Sequence, residues 1–369
     1  MKRIILIALA TLLCVCQANA KVVSPDSTKA IDLIDLDMEP TPECDLTLVP
    51  EYQAKPIQVN RLADPLARRH YTDSAAFKKR VDAAGGFHFI DPDTTVTFCQ
   101  RDTSALMMDI YYPYVGSETH LDGIRKPTIM YIFGGGFVSG ERDAPLHQRW
   151  YRKLAAEGFT VVSIDYRLGM KGLFGPNSNV AKVDLIKHMD SAINIALEDL
   201  YEATNYLITN GEGLGVDPRD MVISGSSAGA MMALHADYQL CNRDKFNVPL
   251  PADFRYKAVM SFSGAIFSLK GAPKYKSGVP CPTVFFHGMD DKIVLYNKMA
   301  FFNISFSGSN FLAKRYAKAG ANYRIYRYKD CGHEVAASML GTFNEQLDFI
   351  YSNVMHAQHK IVDAQMYGQ

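Results

Sequence analysis

Short β-type runs alternate with longer helical ones along the chain. Period-two alternation marks strands at Thr94 to Phe98 and at Ala105 to Tyr112, where Met108-Asp109-Ile110-Tyr111 carries the pattern. A continuous apolar run from Thr128 to Phe133 predicts a buried strand ending in Gly134-Gly135-Gly136-Phe137. Helical sequence from about Ala144 to Gly158 leads to a second apolar strand, Phe159 to Ile164, and then to Asp165-Tyr166-Arg167. A loop rich in glycine and proline covers Leu168 to Ser178. The stretch from Val183 to Asn210 carries apolar positions such as Leu185, Ala192, Ile195, Ala196 and Leu200 and predicts a long helix. Beyond it, strands are expected at Tyr256 to Phe262, Thr283 to His287 and Tyr323 to Tyr328, and helices at about Asn310 to Ala319 and Glu334 to Val354. This alternation argues for an α/β fold with a mostly parallel central sheet and helices on both faces. The first strand pair is read as antiparallel.

Ahead of that core, Lys2 and Arg3 precede an apolar run from Ile4 to Val15, and Ala18-Asn19-Ala20 fits a cleavage site. Residues 1–20 read as a secretory signal peptide cut near Ala20, too short for a spanning helix. The expectation is an exported protein, periplasmic or secreted, without stable membrane insertion. Residues 21–91 hold Pro25, Pro40, Pro42, Pro50 and Pro56 and a helical patch from Asp73 to Ala84, and read as an extension packed on the core or leading to it. Residues 92–369 form the expected catalytic domain.

Composition narrows the classes. The chain is 48% hydrophobic and 21% charged, ordinary for a globular protein, and its 39 basic residues balance 39 acidic ones. No basic run suggests nucleic acid as a partner. Without the leader, five cysteines remain: Cys44, Cys99, Cys241, Cys281 and Cys331. Export permits disulfides, but an odd number leaves at least one thiol free or paired elsewhere. No C-x-x-C pair and no Cys/His cluster with zinc spacing occurs, so metal ligation is not expected, and the serine chemistry described next needs no organic cofactor. Oligomeric state is not set by the sequence.

The chemistry gathers around Met221 to Ala230, where an apolar strand turns sharply at Gly225-Ser226-Ser227-Ala228-Gly229 and continues into helix-forming residues. This is G-x-S-x-G between strand and helix, a turn that lifts the Ser227 Oγ clear of the sheet edge. Serine needs a base to take its proton, commonly a histidine oriented by a buried carboxylate. Both partners follow at the expected places. His287-Gly288-Met289-Asp290-Asp291 ends one strand, and Gly332-His333 follows the next. Either Asp290 or Asp291 can serve as the acid, and Asp291 is preferred. Loops at the carboxyl ends of parallel strands converge on one ligand-binding edge. The glycines after Phe133 let backbone amides face a reacting carbonyl, so Gly135 and Gly136, with the amide of Ala228, are the expected oxyanion donors.

As a set these motifs resemble the α/β-hydrolase fold esterases, especially the carboxylesterase and hormone-sensitive-lipase-like groups. Gly134-Gly135-Gly136-Phe137 is similar to their oxyanion motif, Ser163-Ile164-Asp165-Tyr166-Arg167-Leu168 to their fourth-strand signature, and Gly215-Val216-Asp217-Pro218 to their approach to the elbow. The likeness runs from about Val96 to Tyr351. It departs at Phe133, where a histidine is usual, and at Ser226, where an acid often stands. The resemblance implies a carboxylic ester hydrolase working through an acyl-enzyme, with Ser227, His333 and Asp291 as its triad and a small-molecule or carbohydrate-linked ester as substrate. A serine peptidase or aminopeptidase of the same fold, and a non-catalytic binding module on this scaffold, are the alternatives. The short spacing between Ser227 and Asp291 leaves little room there for a large lid, so none is expected. Leu173, Phe174, Phe137, Phe301, Phe302 and Phe306 are candidate substrate walls.

Overall fold

The computed structural model describes residues 91–101, 104–113, 117–173 and 182–367. The expected leader, the extension through residue 90, Cys44 and Phe174 lie outside the described residues.

Among the described residues nine strands form the central sheet. They are β1 (Thr94–Gln100), β2 (Ala105–Tyr111), β3 (Thr128–Ile132), β4 (Val161–Ile164), β5 (Met221–Ser226), β6 (Ala258–Phe262), β8 (Thr283–Gly288), β11 (Tyr323–Lys329) and β12 (Val362–Tyr367). Their order across the sheet is β1-β2-β4-β3-β5-β6-β8-β11-β12. β2 runs antiparallel to both β1 and β4, and every pairing from β4 to β12 is parallel. The parallel strands read as near-continuous apolar runs because helices cover both faces, so each side chain is buried whichever way it points. Met221, Val222 and Ile223 of β5 and Ile129, Met130 and Tyr131 of β3 are all fully buried.

Among the described residues five α-helices pack on the sheet: α1 (Pro145–Ala156), α2 (Lys182–Asn210), α3 (Ala228–Cys241), α4 (Ser309–Lys318) and α5 (Phe343–Phe349). α1 starts with proline at its first position, where no amide hydrogen is needed. It buries Trp150, Tyr151 and Leu154 on one stripe. Trp150 donates through Nε1 to Gln346 of α5 at 2.8 Å, so α1 and α5 share a face. Across the sheet, Tyr275 joins Tyr238 of α3 to Tyr316 of α4, and Tyr316 packs on Phe285 of β8. α3 is apolar nearly all round and buried, as a helix wedged under other elements must be. α2, about 44 Å long at 1.5 Å per residue, buries Leu185, Met189, Ala192, Ile193 and Leu200. No helix among the described residues is long and apolar enough to cross a membrane.

The structure corrects the sequence reading in three places. The expected helix from Glu334 to Val354 is broken into a 3-10 turn (His333–Ala337), α5 and a π-helical turn (Ile350–Met355). Three strands had no sequence assignment: β7 (Ala265–Ser268), β9 (Lys298–Phe301) and β10 (Ile304–Gly308), which build a separate antiparallel sheet. β12 was also unassigned. It closes the main sheet and is tied by a bidentate Arg327–Asp363 pair.

The strand order explains where the functional loops meet. From β3 the chain crosses through α1 to β4 on one side, then through α2 to β5 on the other. β3 therefore sits between them, at the switch point where an open parallel sheet offers a crevice beyond its carboxyl ends. The glycine loop after β3 and the elbow after β5 are neighbours for that reason.

Candidate active site

β5 ends at Ser226, and the next residue adopts φ 51° and ψ −115°, a conformation costly for a residue with a side chain. Neighbours hold Ser227 there. Its amide donates to the carbonyl of Phe262 at 2.8 Å, and its own carbonyl accepts from Met231 in the first turn of α3. The helix must lie close against β3 for this turn to close. A Cβ on Gly229 would fall 2.0 Å from the carbonyl oxygen of Ile132, so only glycine fits.

The Oγ of Ser227 lies 2.9 Å from Nε2 of His333, and Nδ1 of the same imidazole lies 2.8 Å from Oδ2 of Asp291. Ser227, His333 and Asp291 thus form one hydrogen-bonded line. Asp291 is buried, and its Oδ1 accepts from the amides of Ile293 and Val294 at 2.9 and 3.0 Å. Burial by itself would raise its pKa, but hydrogen bonds from His287 and His333 outweigh that and hold it at about 2. Asp291 is therefore a carboxylate at neutral pH. Asp290, the other candidate, is exposed, and its amide bonds the carbonyl of Cys331 at 2.9 Å. Its contribution is to tie the two loops together.

His287 is a part of the site that strand patterning did not assign a task. It is fully buried beneath Asp291, with Nε2 2.8 Å from the carbonyl of Val294 and 3.3 Å from Asp291 Oδ2. Both neighbours are acceptors, so Nε2 carries the proton. His287 and His333 thus both contact Oδ2 of Asp291.

The glycine loop closes the other wall. Gly135 and Gly136 take φ of 118° and 64°, which turns the chain back over the elbow. Among the described residues the amides of Gly135, Gly136 and Ala228 have no hydrogen-bond partner. Phe133, which stands where histidine is usual, stacks on Tyr166 at 4.4 Å, and the Tyr166 hydroxyl donates to the Phe133 carbonyl at 3.0 Å. An aromatic pair therefore anchors the base of the loop. Behind it, Arg142 bridges the buried Asp109 and Asp165, and Arg167 grips Asp199 of α2, so the Asp165-Tyr166-Arg167 segment is pinned at both ends.

The family model described as "Carboxylesterase family" matches residues 50–244, just over half of the chain. The chain belongs to the carboxylesterase family. A second model, "Phospholipase/Carboxylesterase", matches residues 181–351. Among curated relatives, acetylcholinesterase of Gallus gallus is 33% identical over 109 residues, 30% of this chain and 13% of that protein. Gut esterase 1 of Caenorhabditis elegans is 27% identical over 123 residues, 33% of this chain and 20% of that protein. Each match spans less than a third of the relative's length. A native structure of the esterase Est2 from the Planctomycetes species Thermogutta terrifontis aligns with 69% of this chain and 91% of its own, at 20% identity and a TM-score of 0.48.

In this carboxylesterase-family chain a cavity of about 340 Å³ opens over Ser227 and His333. Its walls are largely apolar: Phe133, Phe137, Met189, Met231, Ile293 and Val294. Of the expected wall residues that are described, only Phe137 lines it. Leu173 packs on the core, Phe301 and Phe306 belong to the separate sheet, Phe302 sits in the exposed turn between β9 and β10, and none of them lines the cavity. Met189 and His147 were not foreseen, because helix periodicity marks them as core positions and only the fold brings them to the glycine loop.

Proposed function

We propose that this carboxylesterase-family protein hydrolyses carboxylic esters through an acyl-enzyme on Ser227. The observation that carries the reading is the unbroken line from Ser227 Oγ through His333 to Asp291, at 2.9 and 2.8 Å. His333 takes the Ser227 proton at Nε2 as Oγ bonds to the ester carbonyl carbon. The carbonyl oxygen becomes an oxyanion, which the amides of Gly135, Gly136 and Ala228 bind. One such donor is worth about 2.7–4 kcal/mol in the transition state. Collapse breaks the carbon–oxygen bond to the alcohol, which leaves with the proton from His333. Water then adds to the acyl carbon, giving its proton to His333, and Ser227 is released with the acid. Asp291 keeps Nδ1 protonated and stabilises the imidazolium that forms in each half.

The substrate is a small-molecule or carbohydrate-linked ester. A cavity near the lower end of the 300–1,000 Å³ usual for ligand sites, with apolar walls, suits a short or single-ring acyl group. Export after cleavage near Ala20, as the leader sequence suggests, would give access to acylated polysaccharides outside the cell. Turnover of acetylated and feruloylated sugars, of short- and long-chain aryl esters and of aryl amides tests the reading. Short-acyl and sugar esters are expected to turn over, with aryl amides and long-chain esters far slower. Preferential cleavage of the amides would make the protein a peptidase instead.

A further inference from the structure

We propose that His120, Asp122 and His356 form a binding site for a divalent transition-metal ion at the edge of the sheet opposite Ser227. Nδ1 of His120 lies 3.3 Å from Oδ1 of Asp122, and Nε2 of His356 lies 3.3 Å from its Oδ2. One ligand atom from each residue falls within 4.8 Å of the other two. Bonds of about 2.0–2.2 Å to nitrogen and oxygen put adjacent ligands of a tetrahedral zinc about 3.3 Å apart. The two short contacts fall on different oxygens of Asp122, so binding through one oxygen keeps one of them, and the remaining ligand pairs need to close by no more than about 1.5 Å.

The ligands stand on built structure. Residues 120–124 form a closed turn, in which the amide of His120 donates to Ile124 and that of Gly123 to His120. Asp122 Oδ1 accepts from the amide of Ile124 at 3.0 Å, which orients the carboxylate. The His120 ring packs 4.7 Å from that of Tyr351, and the amide of His356 donates to the Tyr351 carbonyl. Nδ1 of His120 is shielded from solvent yet makes no aligned hydrogen bond among the described residues. A metal ion would occupy that lone pair. Two imidazoles and one carboxylate suit zinc, copper or nickel better than calcium or magnesium, which favour all-oxygen shells.

The site would be structural. Its turn precedes the first residue of β3, whereas the glycine loop follows the last, and the strand between them is five residues long. That separates the ion from Ser227 by at least the roughly 17 Å length of the strand. An ion here would clamp the β2–β3 connection to the final helical turn, just ahead of β12. The ligands come from opposite ends of the described chain, so no local spacing in the sequence could reveal them.

The test uses untagged, full-length protein stripped with EDTA and titrated with zinc chloride, followed by calorimetry and thermal melting. Wild type is expected to bind one zinc ion saturably, with Tm rising by about 5 °C at a hundredfold excess over Kd. His120→Ala, His356→Ala and Asp122→Asn should each weaken binding at least tenfold and lose the Tm shift, with ester turnover unaltered by His356→Ala or by EDTA. All three positions are partly or wholly exposed, and far-UV circular dichroism confirms folding. Should His356→Ala fold poorly, His356→Gln takes its place. Failure of wild type to bind zinc saturably, or equal binding by the folded variants, overturns the site without touching the role of Ser227.

Discussion

The hydroxyl of Ser226 donates a 2.7 Å hydrogen bond to the carbonyl of Ala336, joining the residue before Ser227 to the 3-10 turn that begins at His333. The link is buried. Ser227 and His333 are thus set relative to one another by a cavity-lining side chain that makes no hydrogen bond to the imidazole. In the neighbouring strand the Tyr131 hydroxyl lies 3.1 Å from Nε2 of His147. Ser226→Ala leaves the Ala336 carbonyl without its partner, at a cost of about 1–3 kcal/mol in stability. It should lower kcat about tenfold with KM nearly unchanged, since a misplacement at the reacting atoms acts on the chemical step. Denaturant unfolding and ester kinetics on the same preparation check both parts.

The two candidate acids separate in a direct comparison. Asp291→Asn keeps the shape but removes the charge and the preferred tautomer of His333, and the loss in kcat should approach 10⁴-fold, roughly that of the best-studied triad. Asp290→Asn is exposed and should alter stability by no more than about 0.5 kcal/mol, without a comparable loss of rate. Steady-state rates on one aryl ester settle the assignment.

The loops that bear Asp291 and His333 pack tightly against each other at Gly288. A Cβ on Gly288 would lie 2.1 Å from the carbonyl oxygen of Gly332, the residue before His333. Gly288→Ala must push those loops apart, so it should destabilise the fold by about 2 kcal/mol or more and also reduce kcat. Urea midpoints and kcat, compared with those of Ser226→Ala, give the two effects.

Stability should fall in mild acid through His235. This side chain is buried in α3, and its Nε2 accepts from the amide of Phe267 at 3.1 Å, which fixes the neutral ring. Burial lowers its pKa from 6.5 to about 4. The unfolded chain binds a proton near 6.5, which the folded chain refuses until about 4, so stability is lost as pH falls through that window. The contribution is roughly 3 kcal/mol when complete. His147, half-buried against the cavity and with its pKa lowered to about 4 by desolvation, acts in the same direction. His235→Gln should flatten the pH dependence of Tm between 6.5 and 4.

Much of the site is legible in the sequence because its three side chains sit at fixed offsets from strong strand signals. β5 with Ser227, β8 with Asp291 and β11 with His333 each end in a loop at one edge of the sheet, and apolar runs place those strands. The second sheet was not legible. β7 is only four residues long, and β9 alternates exposed and half-buried positions without apolar contrast. The break in the last helix follows from residues that compete with helical bonding. Gly341 lowers helix propensity, Ser338 Oγ bonds the Val335 carbonyl, and Thr342 Oγ1 bonds that of Ser338. The cavity walls were hidden for another reason. Met189 and Met231 look like any buried helix position until tertiary packing turns them toward the glycine loop.

The most direct measurement is the site of covalent capture. Intact protein treated with a fluorophosphonate and examined by peptide mass spectrometry should carry one adduct, on the peptide containing Ser227. Ser227→Ala should take up none, and His333→Ala should react far more slowly. An adduct on Ser226 or elsewhere, or full ester turnover by Ser227→Ala, would contradict the account.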